Sequence, residues 1–166
     1  MFIPFGLFAR MLADGGTSEE EIRREYRQIG PRDLQTLLAY VRSLPADVER
    51  RFHLLMHDGY WVFGQFTKAK AKNGKGYWSN YQLRSVRKHG GLEAVKGYLD
   101  RPEAQEGFDR VSDLNLVEFS IEALVLEQPW ASLFTPRELE IARRRFASPA
   151  NPASAVNQQA SALLLD

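Results

Sequence analysis

Leu7, Phe8, Met11 and Leu12 recur at the three- and four-residue spacing of a helix, and Asp14-Gly15-Gly16 stops the run. Pro4 biases Ile3 away from helix, so a short extended segment precedes it. Thr17 or Ser18 is placed to cap a second helix, with Glu20 and Glu21 at capping-box distance and Glu19, Glu20 and Glu21 at its positive end. Ile22, Tyr26 and Ile29 form its inner face, Gly30 ends it, and Pro31 sits where a third helix begins. That helix carries Leu34, Leu37, Leu38 and Val41 on one stripe and stops before Pro45. Three short helices joined by tight glycine-containing turns predict a helix-turn-helix-like trihelical unit over residues 1–44. Its third helix would turn Arg32, Gln35, Thr36 and Arg42 outward, side chains able to contact bases or phosphates and equally ordinary on a surface.

Beyond Pro45 the pattern stays helical. Val48, Phe52, Leu55 and Met56 predict a fourth helix that ends or kinks at Asp58-Gly59. A further helix follows from Tyr60 to about Ala71 with Trp61, Phe63 and Phe66 inward, and Asn73-Gly74-Lys75-Gly76 is the clearest loop. Tyr77 to Lys88 reads as a helix, with Tyr81 and Leu83 to Val86 contributing to its buried side, closed by His89-Gly90-Gly91. Leu92 to Leu99 is helical, Gly107-Phe108 and Leu114-Asn115 look like anchored turns, and Ser120 to Glu127 is helical again. Thr135-Pro136-Arg137-Glu138 opens a last helix that ends in Arg143-Arg144-Arg145, cations at the negative end of the dipole. The expectation is an all-α fold: the trihelical unit packed with a second multi-helix unit over residues 45–147, then a disordered, pattern-poor tail over 148–166. The junction at Pro45 is short enough for the two units to share one core.

Composition narrows the function classes. A hydrophobic fraction of 44% is that of an ordinary globular protein. The absence of cysteine removes disulfides, thiolate metal sites and cysteine nucleophiles, and fits a reducing compartment. The apolar start is interrupted by Arg10 and Asp14 and lacks the flanks of a signal peptide, and no run approaches the roughly 18 apolar residues of a membrane span. A cytoplasmic protein without a membrane partner is expected.

The net charge of +1 hides an asymmetry. From Gly59 to Leu92 there is no Asp or Glu, while Lys68, Lys70, Lys72, Lys75, Arg84, Arg87 and Lys88 all fall there; from Glu93 to Glu140 acids lead. Positions 84, 87 and 88 share a helical face, and Tyr77, Trp78 and Tyr81 lie among the cations. Cations neutralise phosphates and aromatics stack on bases, which points to nucleic acid. The same surface also fits docking on the acidic half or a partner protein, or a plain solvated edge.

Catalytic and metal chemistry find little footing. His53 and His57 share a helix face, but Leu54 stands where a metalloprotease needs Glu and no third ligand is identifiable, so they read as surface histidines. His89 before Gly90-Gly91 reads as a helix-end residue. Lys72 to Gly76 does not satisfy the Walker pattern, and Glu118, Glu122 and Glu127 fit a solvated helix face. No catalytic residue, metal site or cofactor is assigned.

Two stretches resemble known families. Ile3-Pro4, Leu7, Leu12, Asp14-Gly15, Ser18 to Ile22, Tyr26, and Asp33-Leu34 through Ala39-Tyr40 are similar to a small bacterial antitoxin-like trihelical domain found beside nuclease toxins, which implies DNA binding. Tyr81, His89-Gly90-Gly91, Gly107-Phe108, Glu122 to Leu126, Leu133-Phe134-Thr135, Glu138, Ala142-Arg143 and Phe146 resemble an uncharacterised bacterial helical domain, which implies a fold unit and no chemistry. The resulting expectation is a non-catalytic DNA-binding regulator or antitoxin-like protein, dimeric, with the third helix in a groove and the 68–88 stretch along the backbone. The alternative is a protein-interaction module that neutralises or scaffolds a partner without contacting nucleic acid.

Overall fold

The computed structural model describes residues 2–101 and 105–147. The tail expected over 148–166 lies outside these residues. Among the described residues all regular structure is helical, in the order α1 Phe5–Asp14, α2 Glu19–Glu25, α3 Pro31–Arg42, α4 Val48–Lys70, α5 Asn80–His89, α6 Gly91–Leu99, α7 Gln105–Asp113, α8 Ile121–Leu126 and α9 Pro136–Phe146. The all-α class read from periodicity is therefore the fold, and the start at Phe2-Ile3-Pro4 forms no strand.

Local signals set most helix ends. The Ser18 hydroxyl accepts from Glu21 N–H and the Glu21 carboxylate accepts from Ser18 N–H, a full capping box at α2. Thr135 and Glu138 make the same reciprocal pair at α9, with Pro136 in its first turn. Gly15 closes α1 at φ 72°, a left-handed conformation that glycine adopts without a side-chain penalty. Helix α2 ends at Glu25, and the chain turns through 26–30 to bury Ile29.

The described residues divide into two compact units, one up to Ala94 and one from Val95. In the first, α1 packs along α4, with Phe5, Leu7, Phe8, Met11, Leu12, Phe52, Leu55 and Met56 at the centre. The Pro45 junction lies inside this unit, where buried Arg51 holds it. Arg51 Nε donates to Leu12 O at 2.9 Å, and its Nη1 donates to Ala46 O at 2.8 Å and Pro45 O at 3.2 Å. One guanidinium thus satisfies carbonyls at the end of α1 and in the turn before α4.

Three sequence expectations need correction here. Helix α4 runs unbroken for 23 residues through Asp58-Gly59. A Cβ at Gly59 would sit in ordinary contact with the Phe5 and Phe8 rings, at 3.6 Å, so α1 packs directly over this turn of α4. That packing outweighs a helix cost of about 1 kcal/mol for glycine. Helix α5 begins at Asn80 rather than Tyr77. Tyr77 N–H donates instead to the buried Thr67 hydroxyl at 2.8 Å, which ties residue 77 to α4 in a non-helical conformation. Gly107-Phe108 lies within α7, where Phe108 is fully buried, rather than in a turn.

In the second unit, α8 packs against α9 around Val125, Trp130, Phe134 and Ala142. The Leu114-Asn115 turn is present, with Asn115 at φ 55° and its N–H donating to Ser112 O. Arg145 Nη2 donates to Leu99 O at 2.6 Å and Arg101 O at 2.8 Å, tying the last turn of α9 to the end of α6.

Candidate nucleic-acid interface

All the cationic and polar candidates belong to the first unit, and every one of them is exposed. Arg32, Gln35, Thr36 and Arg42 line the side of α3 away from buried Leu34 and Leu37. The Thr36 hydroxyl donates to Arg32 O at 3.0 Å within the helix, which leaves it an acceptor for an outside group. Tyr40, on the same helix, donates its hydroxyl to Asp58 Oδ2 at 2.7 Å and so docks α3 beside the middle of α4.

The basic stretch does not form a single cluster. Gly91 N–H donates to His53 Nδ1 at 3.0 Å, Arg87 Nε donates to His57 Nε2 at 3.5 Å, and Tyr60 donates its hydroxyl to Asn80. Helix α5 therefore runs back along residues 53–60 of α4. Arg87 sits beside His57, about 16 Å of helix rise before Lys68. The α4 lysines also point apart. Trp61, Gly64, Gln65 and Lys68 share one stripe at three- and four-residue spacing, and Lys70 falls about 180° from Trp61. Lys70 Nζ instead lies 4.9 Å from the Phe66 ring centre. Lys72 and Lys75 are exposed in the 71–79 connection, and Tyr81, Arg84 and Lys88 form an exposed stripe on α5.

Between the cations lies an aromatic surface that periodicity misassigned. Trp61 was expected inward and is 49% exposed; Tyr81 was expected on the buried side and is 57% exposed. Trp61 packs edge-on to Tyr60 with centroids 5.1 Å apart and to Trp78 at 5.7 Å, and Tyr60 and Trp78 are 5.4 Å apart. Trp78 reaches this position because Gly64 leaves its indole the space that any side chain at 64 would fill. Gly76 brings the connection against Gly64 O and the Lys68 side chain. The apolar run Trp61-Val62-Phe63 hid this outcome only when read as the start of a separate helix; in the unbroken α4, Phe63 and Phe66 continue the buried stripe of Phe52, Leu55 and Met56, and Trp61 falls on the far side. Phe63 packs on Phe5 and Phe66 stacks on Phe2, which leaves Trp61 outside.

The histidines are integrated more closely than surface histidines. His53 and His57 are half-buried and stacked at 5.9 Å. His53 Nδ1 accepts from Gly91, so its neutral form carries the proton on Nε2. His57 Nδ1 pairs with Asp58 Oδ1 at 2.8 Å, in a chain running from Arg87 through His57 and Asp58 to Tyr40. His89 is exposed. Among the described residues no group of three His, Asp or Glu side chains could hold a metal ion.

The carboxylates correct another expectation. Glu118 and Glu127 are exposed, but Glu122 is 1% exposed and off the solvated face assigned to it. Burial pushes its carboxyl above the usual carboxylate range, against hydrogen bonds from Tyr98 and Arg145 and the attraction of Arg145. Its Oε2 is buried without a hydrogen-bond partner among the described residues. No helix among the described residues is long and apolar enough to cross a membrane. No family model, curated protein or solved structure matches the chain.

Proposed function

We propose that this protein binds nucleic acid and has no catalytic role, as a DNA-binding regulator of the antitoxin-like kind. The observation that carries the reading is the acid-free segment from Gly59 to Leu92, whose lysines and arginines are all exposed and flank exposed Trp61 and Tyr81. Such a surface attracts a polyanion and has apolar area to offer it. In this reading Lys68, Lys75, Arg84 and Lys88 follow phosphates, while α3 offers Arg32, Gln35 and Arg42 to a groove edge. A dimer would present two copies of α3 to paired half-sites. The exposed aromatics also support a second reading, a contact surface for a protein partner.

The test is binding of the purified chain to a mixed-sequence DNA duplex across a salt series, beside a variant with Lys68, Lys75, Arg84 and Lys88 changed to Ala. The expected result is log affinity falling linearly with log salt, by about 0.9 for each phosphate neutralised, and a shallower slope in the variant. No binding by the folded protein at low salt would overturn the proposal and turn attention to a protein partner.

A further inference from the structure

Trp61 costs the free protein something. About half of this large side chain faces water, in the middle of a 23-residue helix that packs against α1 and α5. Exposed aromatic area held this firmly is ordinarily a contact surface. The nature of the contact follows from what surrounds it. Lys68 lies on the same stripe as Trp61, about 10 Å further along the helix. Lys75 adjoins Gly76, which rests against Lys68 and Trp78. On α5 the exposed stripe runs Tyr81, Arg84, Lys88. No acid occurs from residue 59 to residue 92. Exposed aromatic faces with exposed cations on the neighbouring turns and on α5 fit a ligand with flat apolar groups and negative charges.

A duplex supplies the charges but hides the faces of its bases within the stack. Only base edges reach its grooves. A single strand exposes both features, and base–aromatic stacking is indifferent to sequence because every base has a π-face. We propose that the Tyr60–Trp61–Trp78 surface is a stacking platform for unpaired bases, and that the chain thereby takes a single-stranded nucleic acid with its phosphates along Lys68 and the Arg84–Lys88 stripe. This rests on the nucleic-acid reading above and sets the ligand class. The platform is pre-organised: Trp61 stands on a rigid helix, and Trp78 is seated over Gly64. Little side-chain freedom is lost on binding. Unpaired DNA and RNA share this chemistry, since the platform offers nothing that reads the sugar.

The full chain is titrated with oligothymidylate of about 20 nucleotides, oligouridylate of the same length, a matched duplex and polyglutamate, a polyanion without bases. Wild type is compared with Trp61→Ala and Trp61→Phe, each checked for native circular dichroism. Trp61→Ala is expected to lower single-strand affinity about 5- to 150-fold and to lower duplex affinity far less, while Trp61→Phe keeps most of the single-strand affinity. The tighter of the two homopolymers identifies the strand as DNA or RNA. Full single-strand affinity in Trp61→Ala, or polyglutamate bound as tightly as oligothymidylate, overturns the platform; duplex binding that survives in that case leaves the broader reading standing. A folded protein that binds no nucleic acid at low salt overturns both.

Discussion

The indole of Trp78 lies against the backbone of Gly64, in the space that a side chain at residue 64 would occupy. The contact sets where the 71–79 connection meets α4 and holds Trp78 against Tyr60 and Trp61. Gly64→Ala is therefore expected to destabilise the protein by about 1–3 kcal/mol through forced displacement of the ring, despite alanine's better helix propensity. Gly97→Ala is the contrast, because nothing lies within 4 Å of a Cβ there. It should be neutral or stabilising by up to about 1 kcal/mol. Urea denaturation followed by tryptophan emission measures both, and equal effects at the two sites would contradict the packing.

Tyr40 and Asp58 join α3 to α4 by one hydrogen bond of 2.7 Å to a carboxylate. Burial, then the bond to Asp58, push the Tyr40 phenol well above its ordinary value, so it stays a donor throughout the accessible pH range. Tyr40→Phe keeps the ring beside Phe8 and removes only the donor. The expected loss is about 1–2 kcal/mol in equilibrium unfolding. Unchanged stability would mean that water replaces the phenol at Asp58 without cost.

Glu122 carries the pH dependence. Its folded-state affinity for a proton is raised above the ordinary value of 4.5, chiefly by burial. The folded state then holds the proton more tightly than the unfolded chain, so this group lowers stability as pH rises from the unfolded value through the raised folded one. Glu122→Gln removes that decline. Melting temperatures measured from acid to neutral pH should show the variant gaining on wild type as pH increases. The opposite trend would mean that the attraction of Arg145, 3.5 Å away, outweighs burial.

The two capping boxes offer a purely local comparison. Thr135→Ala and Ser18→Ala should each cost about 1 kcal/mol. Glu21 adds a pH signature, because hydrogen bonds from Ser18, then Thr17, hold its carboxyl below the ordinary 4.5. Its contribution is present above the unfolded value and fades as pH falls through the lowered folded one. The Ser18→Ala penalty should therefore shrink in acid, which thermal melts at two pH values would detect.

Gln35→Ala and Lys88→Ala separate the two modes of DNA contact. If α3 enters a groove, Gln35→Ala alters sequence preference in a selected-site assay, at about 1–3 kcal/mol for the position it reads. Lys88→Ala should weaken binding alike for all sequences and reduce the salt slope by about 1. Sequence-independent losses in both variants would remove α3 from base readout.

What the amino-acid sequence determined by itself is what neighbours within a few residues decide. The all-α class, the Ser18 and Thr135 caps, the Gly15 stop and the exposure of the lysines follow from spacing, cap chemistry and charge. What only the tertiary structure decided is the choice among faces. Trp61 reads as inward only while Gly59 is taken for a helix break; in the continuous α4 Phe63 and Phe66 extend the Phe52–Leu55–Met56 stripe and are covered by Phe5 and Phe2, and Trp61 lies about 140–200° round the helix, in water. Gly59 resembles a helix break until α1 packs over it, and Tyr77 resembles helix until Thr67 claims its N–H. Glu122 resembles a surface acid until the second unit closes over it. In each case the deciding partner is at least ten residues away in the chain. Burial and backbone hydrogen bonding at that range outweigh helix propensities of a few tenths of a kcal/mol to about 1 kcal/mol per residue.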